Sequence, residues 1–98
     1  MSEIKVYKTI TGEDLIADVV DIKDAYYVLK DPCLIVLQQT ENGVSVGLAP
    51  YMPYAKGNIA LYANAVTAEA LPDESMVTEY KRVFSPIVTQ NPGIILPK

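Results

Sequence analysis

The sequence predicts a mainly β fold, an antiparallel sheet followed by one C-terminal helix. Apolar and polar residues alternate in short runs between turn signals as far as Pro72, and apolar residues recur at helical spacing after it. A chain of 98 residues is long enough for one small domain. We therefore divide it into a β part over residues 1–72 and a helix with an extended tail over 73–98, both in the same domain.

The first three predicted strands cover residues 4–10, 15–22 and 25–39. A polar turn, Thr11–Asp14, joins the first two strands into a hairpin. Pro32 lies within the long third strand and has no N–H for a strand ladder, so it indicates a bulge, a bend or an edge. Alternation in the first strand separates two faces: Ile4, Val6 and Ile10 against Lys5, Tyr7 and Thr9.

Three further signals organise the rest of the β part. Asn42-Gly43 predicts a second hairpin. Residues 50–57 are predicted to be a loop, because two prolines and a glycine interrupt them. In the stretch GNIALYANAV, Asn64 lies between two alanines, so either the strand breaks there or a tight turn joins two short strands. By alternation we expect these inward positions: Ile4, Val6, Leu15, Val19, Leu29, Ile35, Leu37, Val46, Leu61 and Val66.

The period changes after Pro72, where apolar residues predict an amphipathic helix near Asp73–Ser85. Asp73 or Ser75 is the expected N-cap, and Pro86 is the expected stop. The tail over 87–98 carries apolar residues close to its end, so we expect it to be extended and to dock on the domain.

Composition limits the classes of partner. Eight Lys and Arg against twelve Asp and Glu give a net charge of −4, without the basic stripe that nucleic-acid binders usually carry. No long apolar run or signal-peptide pattern is present, so we expect a cytoplasmic protein without a membrane partner. The single cysteine, Cys33, is expected to be a small buried hydrophobe.

The residues offer little for catalysis or metal binding. Residues 43–47 match G-x-S-x-G, but that motif needs a histidine base and a strand-to-helix turn, and the chain has no His. Glu13-Asp14 and Asp73-Glu74 are more simply a turn and a helix start than metal ligands. We therefore expect no enzyme activity, no metal, no cofactor and no small-molecule substrate.

Seven tyrosines are the unusual feature of the composition. Tyrosine suits half-wet surfaces and subunit contacts, and it also serves as a platform on which single-stranded bases stack. Tyr51 and Tyr54 lie in the predicted loop, whereas Tyr26 and Tyr62 lie in predicted strands.

Two segments resemble the motifs of the Sm-like family. Residues 25–32, with the preceding stretch from Gly12 to Asp21, resemble the first Sm motif, and residues 57–66 resemble the second. On this register the Arg-Gly of the second motif falls on Tyr62-Ala63, and Tyr26 stands where the family has a base-contacting Asn. The Gly-Glu, Lys-Asp-Pro and Pro-Tyr-Met-Pro segments are similar to those of small Sm-like proteins from T4-like bacteriophages of cyanobacteria.

The resemblance implies a strongly bent, five-stranded antiparallel small barrel with the fold shared by Sm-like and SH3-like domains, and a homo-oligomeric ring of about five to seven subunits. It also implies that single-stranded RNA binds at the ring pore, in the cytoplasm of a host cell if a phage encodes the chain. The residues expected there are Asp21, Tyr26, Tyr62 and Asn64. Stacking on the two tyrosines would replace hydrogen-bonded readout, with Asp21 as a positioning residue.

Residues 59–66 contain no charge and no proline, so a strand edge here lacks the usual protection against pairing with another chain. We expect a subunit interface that includes Ile59, Leu61, Tyr62 and Val66. Two hypotheses remain open: an Sm-like ring that binds RNA, and an Sm-like homo-oligomeric scaffold or protein-interaction module without RNA binding.

Overall fold

A computed structural model describes residues 3–84 and shows a mainly antiparallel β-sheet followed by one helix, which confirms the predicted class. The strands are β1 (Glu3–Thr9), β2 (Asp14–Ile22), β3 (Tyr26–Thr40), β4 (Gly43–Pro50), β5 (Ile59–Tyr62) and β6 (Val66–Ala70). A 3-10 turn over Ala63–Ala65 joins β5 to β6, and helix α1 covers Glu74–Phe84. The predicted extended tail over 87–98 lies outside the described residues.

The strands pair in the order β4-β3-β2-β1-β6, and β5 also pairs with β3. Strand β3 has β2 along one edge. Its other edge carries β5 beside Tyr26–Leu29 and β4 beside Cys33–Thr40. Two separate strands, β5 and then β4, therefore pair one after the other along the same edge of β3.

The number of strands differs from the expected five. Six strands form because residues 51–58 leave the sheet between β4 and β5, and both of these strands pair with β3. Pro53 has no N–H for a ladder, and Gly57 adopts a φ of 77°, a left-handed conformation that favours glycine. The predicted loop is confirmed, and it splits what would otherwise be one strand.

Both predicted hairpins are confirmed, and Asn64 lies in a turn between two short strands. Gly12, in the first turn, has a φ of 91°. In the second hairpin Thr40 pairs with Gly43, and Gly43 alone takes a left-handed φ, of 116°. The local turn chemistry therefore fixes these reversals of the chain.

A β-bulge lies at Asp31–Pro32 in the middle of β3. The single residue Ala17 of β2 lies opposite these two residues, because the register shifts there. Asp31 has a φ of 51°, a left-handed conformation that non-glycine residues rarely adopt, although Asp tolerates it better than most. The prediction that Pro32 marks an irregularity is therefore confirmed as a bulge.

Helix α1 is tied to this bulge. The Tyr80 hydroxyl lies 3.0 Å from the carbonyl oxygen of Lys30 and 2.9 Å from that of Asp31, so its one proton is shared between two acceptors. Tyr80 is buried, and burial raises the pKa of its hydroxyl above the ordinary value. The helix thus supplies a donor to carbonyl groups at the point where the β2–β3 register is interrupted.

The start of α1 follows the sequence prediction. The Asp73 carboxylate accepts a hydrogen bond of 2.9 Å from the backbone N–H of Met76, which identifies Asp73 as the N-cap. This bond lowers the pKa of Asp73 below its ordinary value. Of the predicted helix, Ser85 lies outside the described residues.

The sheet carries apolar groups on both faces. On one face, called the inner face here, the buried cluster is Tyr7, Leu15, Ala17, Val19, Leu29 and Leu61. On the other, called the helix face, Ile16 and Cys33 are buried against Tyr80 of α1. Cys33 is therefore buried as expected, and burial raises the pKa of its thiol to about 11.

The predicted inward positions divide between these faces. Leu15, Val19, Leu29 and Leu61 are buried on the inner face, and Val66 packs against them. Ile4, Val6 and Ile35 instead pack on the helix face. Tyr7 and Thr9, expected on the opposite side of the first strand from the core, are buried, and Ile10 is exposed. In β1, Ile4 and Val6 therefore pack against apolar groups as expected, but the opposite face, with Tyr7 and Thr9, is buried as well, and this the alternation did not predict.

Two predicted inward positions are wrong in a different way. Leu37 is 66% exposed and Val46 is 41% exposed, although they pair with each other across β3 and β4. Leu37 and Val46 lie on the same face as the neighbouring pair Ile35 and Leu48, but closer to the tip of the hairpin. Ile35 and Leu48 pack on the helix face. Alternation identified a shared face, but the described chain leaves this part of it uncovered.

An ion pair and a hydrogen bond link three strands on the inner face. The Lys5 ammonium lies 2.9 Å from Glu69, and the Tyr27 hydroxyl donates to the same carboxylate at 3.1 Å. These residues belong to β1, β6 and β3, so the Tyr27 contact connects strands that do not pair with each other. The Tyr27 ring also packs on Tyr7 with centroids 5.1 Å apart.

Replacing Tyr80 by Phe tests the tie between the helix and the bulge. We expect Tyr80→Phe to lower the free energy of unfolding by about 1 to 2 kcal/mol, because it removes the donor for two backbone carbonyl groups. Urea unfolding with an unchanged m-value would measure the loss. Tyr54→Phe is the control, since Tyr54 is 81% exposed. An equal effect of both substitutions would contradict the role of the Tyr80 hydroxyl.

Replacing Glu69 by Gln tests the three-strand link. The Lys5 hydrogen bond lowers the pKa of Glu69 below its ordinary value of 4.5, so the stabilisation is present above that value and is lost as pH falls through the lowered pKa. We expect thermal unfolding between about pH 6 and pH 3 to show a smaller acid-induced loss in Glu69→Gln than in the wild type, by up to about 1 kcal/mol because the pair is partly exposed.

The control for this prediction is Glu41→Gln at the tip of the second hairpin, which removes an exposed carboxylate outside the link. If Glu69→Gln and Glu41→Gln have the same pH profile as the wild type, the ion pair contributes nothing measurable to stability.

Candidate nucleic-acid interface

Two turns meet at one corner of the sheet. The backbone N–H of Ala63, in the 3-10 turn, donates a hydrogen bond of 2.9 Å to the carbonyl of Ala25, in the turn between β2 and β3. At its other end the 3-10 turn accepts a bond of 2.9 Å from Ile10 N–H to the Ala65 carbonyl. The short turn that the sequence predicted at Asn64 is therefore held from both sides by other parts of the chain.

Two predicted site residues form an aromatic pair at this corner. Tyr26 and Tyr62 lie opposite each other on β3 and β5, with ring centroids 5.5 Å apart and planes inclined by 53°. Tyr62 is 56% exposed and Tyr26 is half-buried. The pair therefore presents aromatic surface to solvent next to the 3-10 turn, in an arrangement on which a flat ligand group can stack.

Asp21 supports the neighbouring turn. Its carboxylate accepts a bond of 2.8 Å from the Ile22 N–H and pairs with the Lys23 ammonium at 3.0 Å. The Lys23 hydrogen bond lowers the pKa of Asp21, and the same bond raises the pKa of Lys23. The hydrogen bonds and ion pairs of the described chain do not include a contact between Asp21 and Tyr26. Asp21 therefore orders the turn that leads into β3, and does not bond Tyr26.

Asn64 is exposed in the 3-10 turn. Within residues 3–84, its side chain makes no hydrogen bond, so its amide is available to a ligand beside the tyrosine pair. An amide offers both donors and an acceptor, which suits the edges of unpaired bases.

The four predicted interface residues have different surroundings. Leu61 is buried in the inner-face core, and Val66 packs against that core. Ile59 is half-buried, and only Tyr62 is exposed. The side chains that β5 leaves to solvent are those of Ala60 and Tyr62, so a substitution at Leu61 changes the folding core as well as any contact between subunits.

Sequence reasoning missed the charge arrangement at the corner. Lys23 is the nearest lysine in sequence to Tyr26, and Asp21 pairs with it. Asp24 is exposed in the same turn. The sequence of the turn, Asp-Ile-Lys-Asp, places acidic and basic residues close together. Whether two of them form an ion pair depends on the directions of their side chains, which the sequence does not give.

Tyr51, the first tyrosine of the loop, lies away from this corner. Tyr51 packs against the inner-face core, and its backbone N–H donates to the carbonyl of Pro32 at 2.9 Å. Pro32 is roughly 20 Å along β3 from Tyr26, counted at the usual rise per residue of a strand. Tyr54 is exposed. These contacts place Tyr51, at the start of the loop, away from the corner.

A cavity of about 670 Å³ lies between α1 and the helix face. Its lining combines apolar groups such as Val77 with charges of both signs, including Asp18, Lys30 and Lys81. One oxygen of Asp18 is buried without a hydrogen-bond partner in residues 3–84, and Lys30 lies opposite Asp18 on β3. A lysine rotamer can supply the missing donor, so the unpartnered Asp18 oxygen does not by itself indicate a ligand site in the cavity.

In the part of the chain from 3 to 84, no group of three or more His, Cys, Asp or Glu residues is placed to hold a metal ion. Over the same residues, no helix has the length and apolar character needed to cross a membrane.

Comparison with models of known protein families finds no match, and comparison with curated proteins finds none either. A function for this chain is therefore inferred from its own residues.

Proposed function

We propose that the chain is an Sm-like subunit that assembles into a closed homo-oligomeric ring and binds single-stranded RNA at the corner formed by the two turns, near the ring pore. The Tyr26–Tyr62 pair, in which Tyr62 is exposed and Tyr26 half-buried, carries this proposal because it lies beside the 3-10 turn that ties together both ends of the sheet path. The two segments that resemble the Sm motifs also carry these two tyrosines.

The topology supports a strongly bent small barrel. Strands β5 and β6 stand at the two ends of the path β5-β3-β2-β1-β6, yet only the three residues Ala63–Ala65 separate them along the chain. A flat sheet of this order would hold its two end strands far apart, so the path must curve round on itself. The bond from Tyr27 to Glu69, between β3 and β6, is consistent with that curvature.

The two end strands also support a ring. In the described residues β5 pairs with β3 alone and β6 pairs with β1 alone, so each has one edge without a partner strand. Pairing β5 of one subunit with β6 of the next would satisfy both edges by the same heterologous contact, which closes into a ring when the rotation per subunit fits. This is the contact that the Sm-like resemblance implies.

Stacking would supply most of the RNA affinity. Base stacking on an aromatic side chain contributes about 1 to 3 kcal/mol per base and tolerates any base. A ring would repeat the tyrosine pair and Asn64 once per subunit around its pore, and such repetition raises the affinity for one strand that reaches several sites.

A scaffold without RNA binding is the second candidate, and the charges at the corner favour it. Lys23 is paired with Asp21, Asp24 is exposed beside it, and the net charge of the chain is −4. Phosphate groups gain little from such a surface, because cations supply most of the non-specific attraction to nucleic acids. On this hypothesis the ring is retained and the tyrosine pair contacts protein.

Placing a lysine on β5 tests the ring. We expect Ala60→Lys to shift the assembly from a single species of about five to seven chains towards smaller species, because a charged side chain on an edge strand opposes pairing. Light scattering coupled to size exclusion measures the mass. Ala60 is exposed, so the substitution leaves the core side chains in place.

Thr78→Lys, on an exposed position of α1, is the matched control and should keep the ring mass. A wild-type monomer at micromolar concentration would contradict the ring itself. An intact ring in Ala60→Lys would place the contact between subunits on another surface.

Truncating one tyrosine tests the RNA site. With short U-rich and A-rich RNA at low salt, we expect Tyr62→Ala to weaken binding by about 5- to 150-fold, which corresponds to about 1 to 3 kcal/mol for one stacked base. Fluorescence polarisation measures the affinity, and light scattering verifies that the variant keeps its assembly.

Tyr54→Ala is the control, since Tyr54 is an exposed tyrosine in the loop between β4 and β5. If wild-type protein shows no binding at about tens of micromolar at low salt, where electrostatic attraction is greatest, the scaffold hypothesis stands. If Tyr54→Ala loses binding and Tyr62→Ala does not, the RNA site lies on the loop.

A further inference from the structure

The hairpin of β3 and β4 extends beyond the region that α1 covers. Its outer part, called the hairpin arm here, comprises residues 35–48. Ile35 and Leu48 at its base pack on the helix face, and the next cross-strand pair on that face, Leu37 and Val46, is largely exposed. Val44, one pair further out, is 63% exposed. An apolar stripe therefore continues from the buried core along the arm into solvent.

The edge of the arm lacks protection as well. Strand β4 pairs only with β3 in the described chain, so its other edge presents unpaired backbone groups. Glu41 is the only charged residue from Val36 to Pro50. Edge strands are normally guarded by lysine, by proline within the strand or by a bulge, and along β4 the only such residue is Pro50, at its last position. The arm thus combines an exposed apolar face with an open strand edge.

We propose that β4 pairs antiparallel with β4 of a second copy of the chain, in a symmetric contact that joins the two apolar stripes. Pairing across a two-fold axis satisfies the free backbone groups of both edges at once. Val44 and Val46 of the two copies then lie on one continuous face, and each copy covers part of the stripe of the other.

A second copy fits this surface better than an unlike partner. The chain carries 20% charged residues, but this edge and stripe carry none apart from Glu41 at the tip, so the arm offers no charge pattern that would select another protein. A copy of the arm supplies the same neutral edge and a stripe of the same spacing. Two copies also meet here without the mutual repulsion that their net charge of −4 produces elsewhere.

The size of the contact sets its strength. A strand of 8 residues is about 27 Å long at the usual rise, and a strip of about 10 Å width would bury on the order of 300 Å² per copy. A stable interface buries about 800 Å² per partner. Two single chains would therefore associate weakly through β4, whereas two rings joined by several such contacts would associate strongly. The pairing itself does not depend on the ring.

Cross-linking at Ser45 tests the pairing and captures weak contacts. Ser45 is exposed on β4, and Cys33 is buried with a thiol pKa of about 11, so an introduced cysteine reacts in its place. We expect Ser45→Cys to give a covalent dimer with a short bifunctional maleimide. The matched Thr78→Cys, on the exposed side of α1, is expected to give a yield of covalent dimer that is at least about tenfold lower.

Adding Val46→Lys to Ser45→Cys is expected to reduce the dimer about tenfold or more, because the symmetry places the new charges of both copies in the same contact. Adding Ala60→Lys to Ser45→Cys is expected to leave the yield of cross-linked dimer unchanged. Loss of the ring and loss of the β4 pairing are therefore measured separately. Equal cross-linking of Ser45→Cys and Thr78→Cys, or no dimer from Ser45→Cys, would overturn the proposal and assign the cover of the arm to another segment or another protein.

Discussion

The β-bulge at Asp31–Pro32 is the constraint on which the rest of the structure depends. It divides the long strand β3 into an inner half that pairs with β5 and an outer half that pairs with β4. The same point receives the Tyr80 hydroxyl from α1 and the Tyr51 N–H from the loop. The corner with Tyr26 therefore lies on one half of β3 and the hairpin arm on the other. The contacts of Tyr80 and Tyr51 with the bulge fix the point where the two halves join.

Both faces of a single sheet are used, and this determines where side chains lie. The inner face is closed by tyrosine and aliphatic groups and by the ion pair between Lys5 and Glu69. Within residues 3–84 the helix face is covered only as far as α1 reaches, which leaves the stripe of Leu37 and Val46 exposed in this part of the chain. Small domains have little core to spare, so exposed apolar rows of this kind favour contact with another chain.

At the corner, stacking and electrostatics act in opposite directions. The exposed Tyr62 ring and the Asn64 amide suit an unpaired base, whereas Lys23, the lysine nearest to Tyr26 in sequence, is paired with Asp21 and is less available to a phosphate group. An RNA site here would depend on stacking and would respond to salt less than a basic groove does. A protein-binding role would use the same aromatic surface without a requirement for positive charge.

The sequence by itself determined the features that depend on neighbouring residues. These are the hairpin at Asn42-Gly43, the loop around Pro53, the turn at Asn64 and the helix capped by Asp73, because turn and cap preferences act over a few residues. It also placed Tyr26 and Tyr62 among the candidate site residues, although only through a family resemblance.

Only the tertiary structure decided which face each strand residue uses and which distant groups meet. Ile4 packs under α1, which is more than 60 residues away in sequence, and Tyr7, on the opposite side of β1, is buried by residues of β2, β3 and β5. The contacts of Tyr80 with the bulge and of Glu69 with Lys5 and Tyr27 likewise join remote segments. Alternation along a strand divides its side chains between two faces of the sheet. It does not show which of these faces another element will cover.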